Sequence, residues 1–116
     1  MRDHHKLKAF ELADLAALKI YQITRAFPKD EVYGLSSQMR RAAISVPSNI
    51  VEGCARTTQQ EYLRFLDIAF GSLRELIYQL SVAQRLNYIS ESAANECQTN
   101  LTETERVLSA LIRSLR

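Results

Sequence analysis

GLSSQMRRAAISVPSNIVEGCAR, residues 34–56, is the stretch whose reading decides the fold. Its apolar residues Met39, Ala43, Val46, Ile50 and Cys54 recur three or four apart, the period of one helix face. Ser37, Arg41, Ser45, Glu52 and Arg56 draw a polar line along another side of the same helix. Pro47 interrupts the stretch, because it lacks an N–H and crowds the carbonyl of Ala43. The apolar period keeps phase across it, and Ser45, Ser48 and Asn49 can offer side-chain hydrogen bonds to freed backbone groups. The expectation is therefore one kinked helix rather than two short ones.

Three further helices follow from the same kind of pattern. Phe10, Ala13, Ala17, Ile20, Thr24 and Phe27 set a first helix from about Phe10 to Phe27, stopped by Pro28. The connector PKDEVYG then offers Gly34 for a positive φ and Ser36 or Ser37 as a cap. Thr58-Gln59-Gln60-Glu61 has the form of a capping box. It opens a helix from about Gln59 to Leu86 with the seam Tyr62, Leu66, Ala69, Leu73, Leu76, Leu80 and Ala83, and a second line Leu63, Phe70 and Ile77. Gly71 inside that helix costs about 1 kcal/mol against Ala. It predicts a close helix contact, with Ala42, Ala43 and Ser45 opposite. Asn87 ends the helix and Ser90 caps the last one, from about Glu91 to Leu115, with Ala94, Cys97, Leu101, Thr104, Leu108, Leu111 and Leu115 inward.

Four helices, short connectors and no strand pattern predict an all-α, antiparallel up-and-down four-helix bundle. One domain covers residues 1–116, with residues 1–8 as a short, flexible basic arm. At 47% hydrophobic the chain can bury a core, and a net charge of +2 neither demands nor forbids a nucleic-acid partner. No apolar run is long enough to cross a bilayer and none resembles a signal core, which predicts a cytoplasmic protein. Cys54 and Cys97 then read as small core residues rather than a disulfide.

Catalytic patterns are missing from the sequence. A di-metal bundle needs Glu-x-x-His pairs, but no histidine follows His5. Metal is not expected at His4 and His5 either, as adjacent side chains diverge and no other ligand accompanies them. No phosphate loop, nucleophile turn or base for a serine is present. No cofactor is expected. Glu52 should pair with Arg56 one turn on, and Glu75 with Arg41 or a backbone group of the second helix.

FPKDEVYGLSSQMRRAAISVPSNIVEG, followed by FLDIAFGSLREL, resembles the 23S ribosomal RNA intervening-sequence protein family. The first motif falls on Phe27, Pro28, Glu31, Tyr33, Gly34, Leu35, Gln38, Arg40, Arg41, Ala42, Ser45, Pro47, Asn49, Ile50, Glu52 and Gly53. The second falls on Phe65, Ala69, Gly71, Ser72 and Glu75. The resemblance implies a left-handed bundle and a ring-like homo-oligomer, a pentamer. It also implies kinship with the accessory proteins of diversity-generating retroelements, which bind nucleic acid and a reverse transcriptase. A non-enzymatic bundle that binds ribosomal RNA or another structured nucleic acid is the first expectation. Phosphate contacts would come from Arg40, Arg41 and Arg56, with Arg64, Lys6 and Lys8 outside them. No aromatic platform is expected among these arginines. A protein–protein adaptor without nucleic-acid binding is the alternative.

Overall fold

The computed structural model describes residues 2–116. Four helices carry the fold: α1 (Lys8–Thr24), α2 (Leu35–Cys54), α3 (Gln59–Arg85) and α4 (Glu91–Leu115). Helix α1 packs on α2, α2 on α3, α3 on α4, and α4 closes back on α1. With short turns between them, this is an antiparallel up-and-down bundle measuring 43 × 25 × 20 Å.

Helix α2 runs unbroken through Pro47, which is itself buried. Asn49 donates its side-chain amide to the carbonyl of Ser45 at 2.8 Å and to Ser45 Oγ at 2.9 Å, bonds that tie the turn around the proline. Met39, Ala43, Val46, Ile50 and Cys54 are all buried, as the period requires. The α3 seam from Tyr62 to Ala83 is buried at every expected position, each large aliphatic residue contributing about 1.5–3 kcal/mol. In α4 the inward line ends on Ile112 rather than Leu111. Both cysteines are buried and free.

Helix boundaries follow capping chemistry. Thr58 Oγ1 accepts from the N–H of Glu61 at 3.2 Å, while the Glu61 carboxylate turns to Arg64 instead of closing the box. Asn87 takes a left-handed φ of 61°, and the N–H of Tyr88 reaches back to the carbonyl of Ala83 at 3.0 Å, a Schellman end on α3. Ser90 caps α4 through the N–H of Ala93.

Three expectations need correction. Helix α1 spans Lys8–Thr24, and its buried stripe takes in Ala9 and Ala16 while Phe10 is only half-buried. Gly34 has a φ of −115°, and neither Ser36 nor Ser37 caps α2; the Glu31 carboxylate accepts from the N–H of Leu35 at 3.0 Å. A Cβ on Gly34 would stand 2.5 Å from Glu31 Oε1, so glycine provides room for that carboxylate rather than an unusual φ. Gly71 is exposed, with nothing within 4 Å of where its Cβ would be. The close approach of α2 and α3 is at Gly53, whose Cβ would meet Phe65 Cβ at 3.0 Å and the Tyr62 carbonyl at 3.3 Å. The described part of the N-terminal arm, residues 2–7, touches the end of α2 and the start of α3. Arg2 donates its N–H to the Cys54 carbonyl and its guanidinium to the Arg56 carbonyl, and lies 4.1 Å over the Tyr62 ring.

Candidate functional site

The antiparallel layout separates the arginines and lysines that sequence reasoning grouped. Lys6, Lys8, Arg56 and Arg64 lie at the end of the bundle where α1 and α3 begin and α2 finishes. Arg40 and Arg41 belong to the other half, near the α1–α2 turn.

At the first end, charge is largely neutralised and the aromatic faces are occupied. Arg56 pairs with Glu52 at 2.9 Å and lies 4.7 Å over the Phe65 ring. Arg64 pairs with Glu61 and lies over the same ring. Lys8 pairs with Glu11, whereas Lys6 is exposed with no ion pair among the described residues. In the nearby 3₁₀ turn His4–Lys6 the adjacent histidine side chains do not diverge as expected. The turn brings Asp3, His4 and His5 together, with ligand atoms within 4.8 Å of one another. The backbone N–H of His5 donates to Asp3 Oδ1 and the ring Nδ1 shares a hydrogen bond with the same oxygen; the first contact and then the second lower the pKa of Asp3.

The α1–α2 turn has a different character. Arg25, Lys29 and Arg40 line a hollow of about 360 Å³ with Thr24, Phe27, Pro28, Val32 and Ser36, and no carboxylate is among the lining residues. None of the three cations forms an ion pair among the described residues. Arg40 Nε donates to the buried hydroxyl of Thr24 at 2.8 Å, Nη2 reaches the Tyr21 carbonyl at 3.3 Å, and the guanidinium lies 4.9 Å from the Tyr21 ring centre. It is therefore a clip between α1 and α2 that also presents charge to the hollow. Glu31, on the same turn, is held below the usual carboxylate range by the N–H of Leu35 and then by the Tyr88 hydroxyl. Both of its oxygens are engaged. Beside Val32 stands Tyr33, 96% exposed, which sequence reasoning did not single out as a stacking surface. Its position between Glu31 and Gly34 in the motif was the available signal.

Arg41 points to the opposite flank of α2. With Gln38, Ala42, Ser45, Ser72, Glu75 and Gln79 it lines a groove of about 420 Å³ between α2 and α3. Ser45 Oγ and Ser72 Oγ meet across it at 2.9 Å. Glu75 and Arg41 do not form the bond expected of them; neither has a hydrogen-bond or ion-pair partner among the described residues. Gln79 is 5% exposed and its Oε1 accepts nothing.

Nothing among the described residues of this four-helix bundle points to catalysis. The chain belongs to the 23S rRNA-intervening sequence protein family, whose model matches residues 5–110. A solved structure from Bacteroides thetaiotaomicron, a protein of unknown function from the S23 ribosomal protein family, shares the fold. It is 21% identical, with a TM-score of 0.83 over 90% of this chain and 97% of that one. No curated protein matches the chain. No helix among the described residues is long and apolar enough to cross a membrane.

Proposed function

We propose that the protein is a non-enzymatic, self-associating accessory bundle that holds structured RNA or DNA by its phosphates. The observation that carries this reading is the hollow at the α1–α2 turn, where Arg25, Lys29 and Arg40 converge without a lining carboxylate. Asp30 lies on the same turn but does not line the hollow. A phosphate there would meet three cations, one of them already oriented by Thr24 and Tyr21. Tyr33 adds an open aromatic face within the same turn, suited to stacking on an unpaired base. Arg41 extends the positive line along α2, whereas Arg56, Arg64 and Lys8 would have to leave existing pairs to bind. The family description makes ribosomal RNA the first ligand to try.

Ile44 and Val51 of α2 and Ile68 and Tyr78 of α3 are exposed, and the ring-like pentamer implied by the resemblance would give them cover. Copies in a ring would multiply a weak single-site affinity. The same apolar side chains favour a second reading, an adaptor that binds only proteins, a reverse transcriptase among them. Binding of a ribosomal RNA hairpin, measured by filter retention, separates the two. Retention should fall steeply from low to moderate salt if phosphates are held. Absence of retention at low salt would leave the adaptor.

A further inference from the structure

We propose that the α2–α3 groove recognises the edge of an unpaired guanine. This inference rests on the nucleic-acid reading but uses different residues from the phosphate hollow. Six of the seven residues lining the groove, Gln38, Arg41, Ala42, Ser45, Ser72 and Glu75, belong to the two motifs that carry the family resemblance. The bundle does not use the polar ends of Arg41 and Glu75: both are exposed and neither is bonded to another described residue. The seventh residue, Gln79, keeps an acceptor oxygen buried and unpartnered, an arrangement that native cores normally avoid. Turned toward the groove that Gln79 lines, this oxygen would be satisfied by an incoming hydrogen-bond donor.

The donor and acceptor set narrows the ligand. Glu75 and Gln79 Oε1 both accept, Arg41 only donates, and the two formal charges cancel, which suits a neutral group. A carboxylate binds most strongly to a fork of two N–H donors. Among the bases, guanine alone presents such a fork, N1–H beside N2–H₂, with O6 and N7 as acceptors nearby for an arginine. A guanidinium from another protein also presents a fork, but Arg41 would repel it. Adenine and cytosine each present a single amino donor at that edge, and uracil a single N–H.

Placement agrees with the chemistry. Arg40 and Arg41 are consecutive, so the phosphate hollow and the groove flank the same turn of α2, a helix about 10 Å across. A strand crossing that turn would put a phosphate on one flank and a base on the other.

The test uses the full chain and short oligouridine strands carrying one central guanosine, adenosine or inosine, with binding followed by fluorescence anisotropy at fixed salt. Glu75→Gln and Gln79→Met are compared with the parent. The parent should prefer guanosine over adenosine by roughly tenfold, and inosine, lacking the N2 amine, should lose most of that preference. Glu75→Gln, an exposed change that leaves the bundle intact, should remove the preference while adenosine-strand affinity and its salt dependence stay as they were. Gln79→Met should weaken the preference without changing adenosine binding. Equal affinity of the parent for guanosine and adenosine strands would overturn the assignment and leave phosphate binding standing. So would a preference that survives Glu75→Gln. If no strand binds, guanosine and adenosine monophosphates decide the matter through the Gln79 side-chain amide signals in NMR. A shift with the guanosine compound alone upholds the groove, and any other result removes it.

Discussion

The two interior glycines of the α2–α3 pair should respond to alanine in opposite directions. Gly71 sits on the open face of α3 with nothing within 4 Å of its missing Cβ. Ala there recovers helix propensity alone, a gain of about 1 kcal/mol. Gly53 lies where α2 crosses α3, and its Cβ would come within 3.0 Å of Phe65 Cβ, 3.2 Å of Tyr62 Cδ1 and 3.3 Å of the Tyr62 carbonyl. Two of those atoms are fixed to the α3 backbone and cannot swing aside, so the helices must part by a few tenths of an ångström. Overpacking of this kind costs about 1–3 kcal/mol, against a propensity gain reduced by Gly53 lying one residue from the helix end. The net should be a loss of about 1 kcal/mol for Gly53→Ala. The two variants should therefore differ by about 2 kcal/mol, roughly 8 °C or more in melting temperature for a domain this size. Urea unfolding followed by circular dichroism at 222 nm would measure both. A Gly53→Ala protein as stable as Gly71→Ala would refute the close approach at Gly53, and with it the account of how α2 meets α3.

Other consequences follow from individual contacts. Burial, and then contact with Cys54, raise the Tyr62 hydroxyl to about 12, above its usual value near 10. A raised pKa in the folded state means the contribution is whole below pH 10 and is lost as pH climbs toward 12, a decline of roughly 2–3 kcal/mol. Tyr62→Phe should flatten that part of a stability–pH curve, and an unchanged curve would show that Tyr62 is not its source. Arg40→Met should lower stability by about 1–2 kcal/mol through loss of the bonds to Thr24 and Tyr21, read from chemical denaturation. A neutral result would make Arg40 a surface residue rather than a clip. Thr58→Ala should cost about 1 kcal/mol by uncapping α3, whereas Thr58→Ser should be close to neutral in the same titration.

Periodicity made the helices legible, because burying one face of each leaves the same four-three rhythm in all of them. The passage of α2 through Pro47 could be read the same way, since Val46 and Ile50 keep the phase on either side. Local caps at Thr58, Asn87 and Ser90 were also visible, as each acts within a few residues. Contacts between helices were harder to read. Gly53 and Gly71 look alike in sequence, and only the crossing point of α2 and α3 tells which one lies against a neighbour. Glu31 took the capping role expected of Ser36 or Ser37 because Tyr88, 57 positions away, helps hold its carboxylate. At the candidate site, the arginine pair was visible but its division of labour was not. One residue of rotation turns Arg40 toward α1 and Arg41 toward α3. Arg25, Lys29, Tyr33 and Gln79 carried no pattern of their own, since their importance comes from what the turn and the groove bring beside them.

Phosphate binding at the α1–α2 turn is tested most directly by the salt dependence of RNA affinity for the parent and for Arg25→Gln/Lys29→Gln. Neither side chain forms an ion pair among the described residues, and Arg40 is left in place to hold the helices together. Each phosphate contact contributes about 0.7–0.9 to the slope of log affinity against log salt. The double variant should bind more weakly at low salt with a slope shallower by about 1.4–1.8. Matching affinities and parallel slopes for the two proteins would contradict the account.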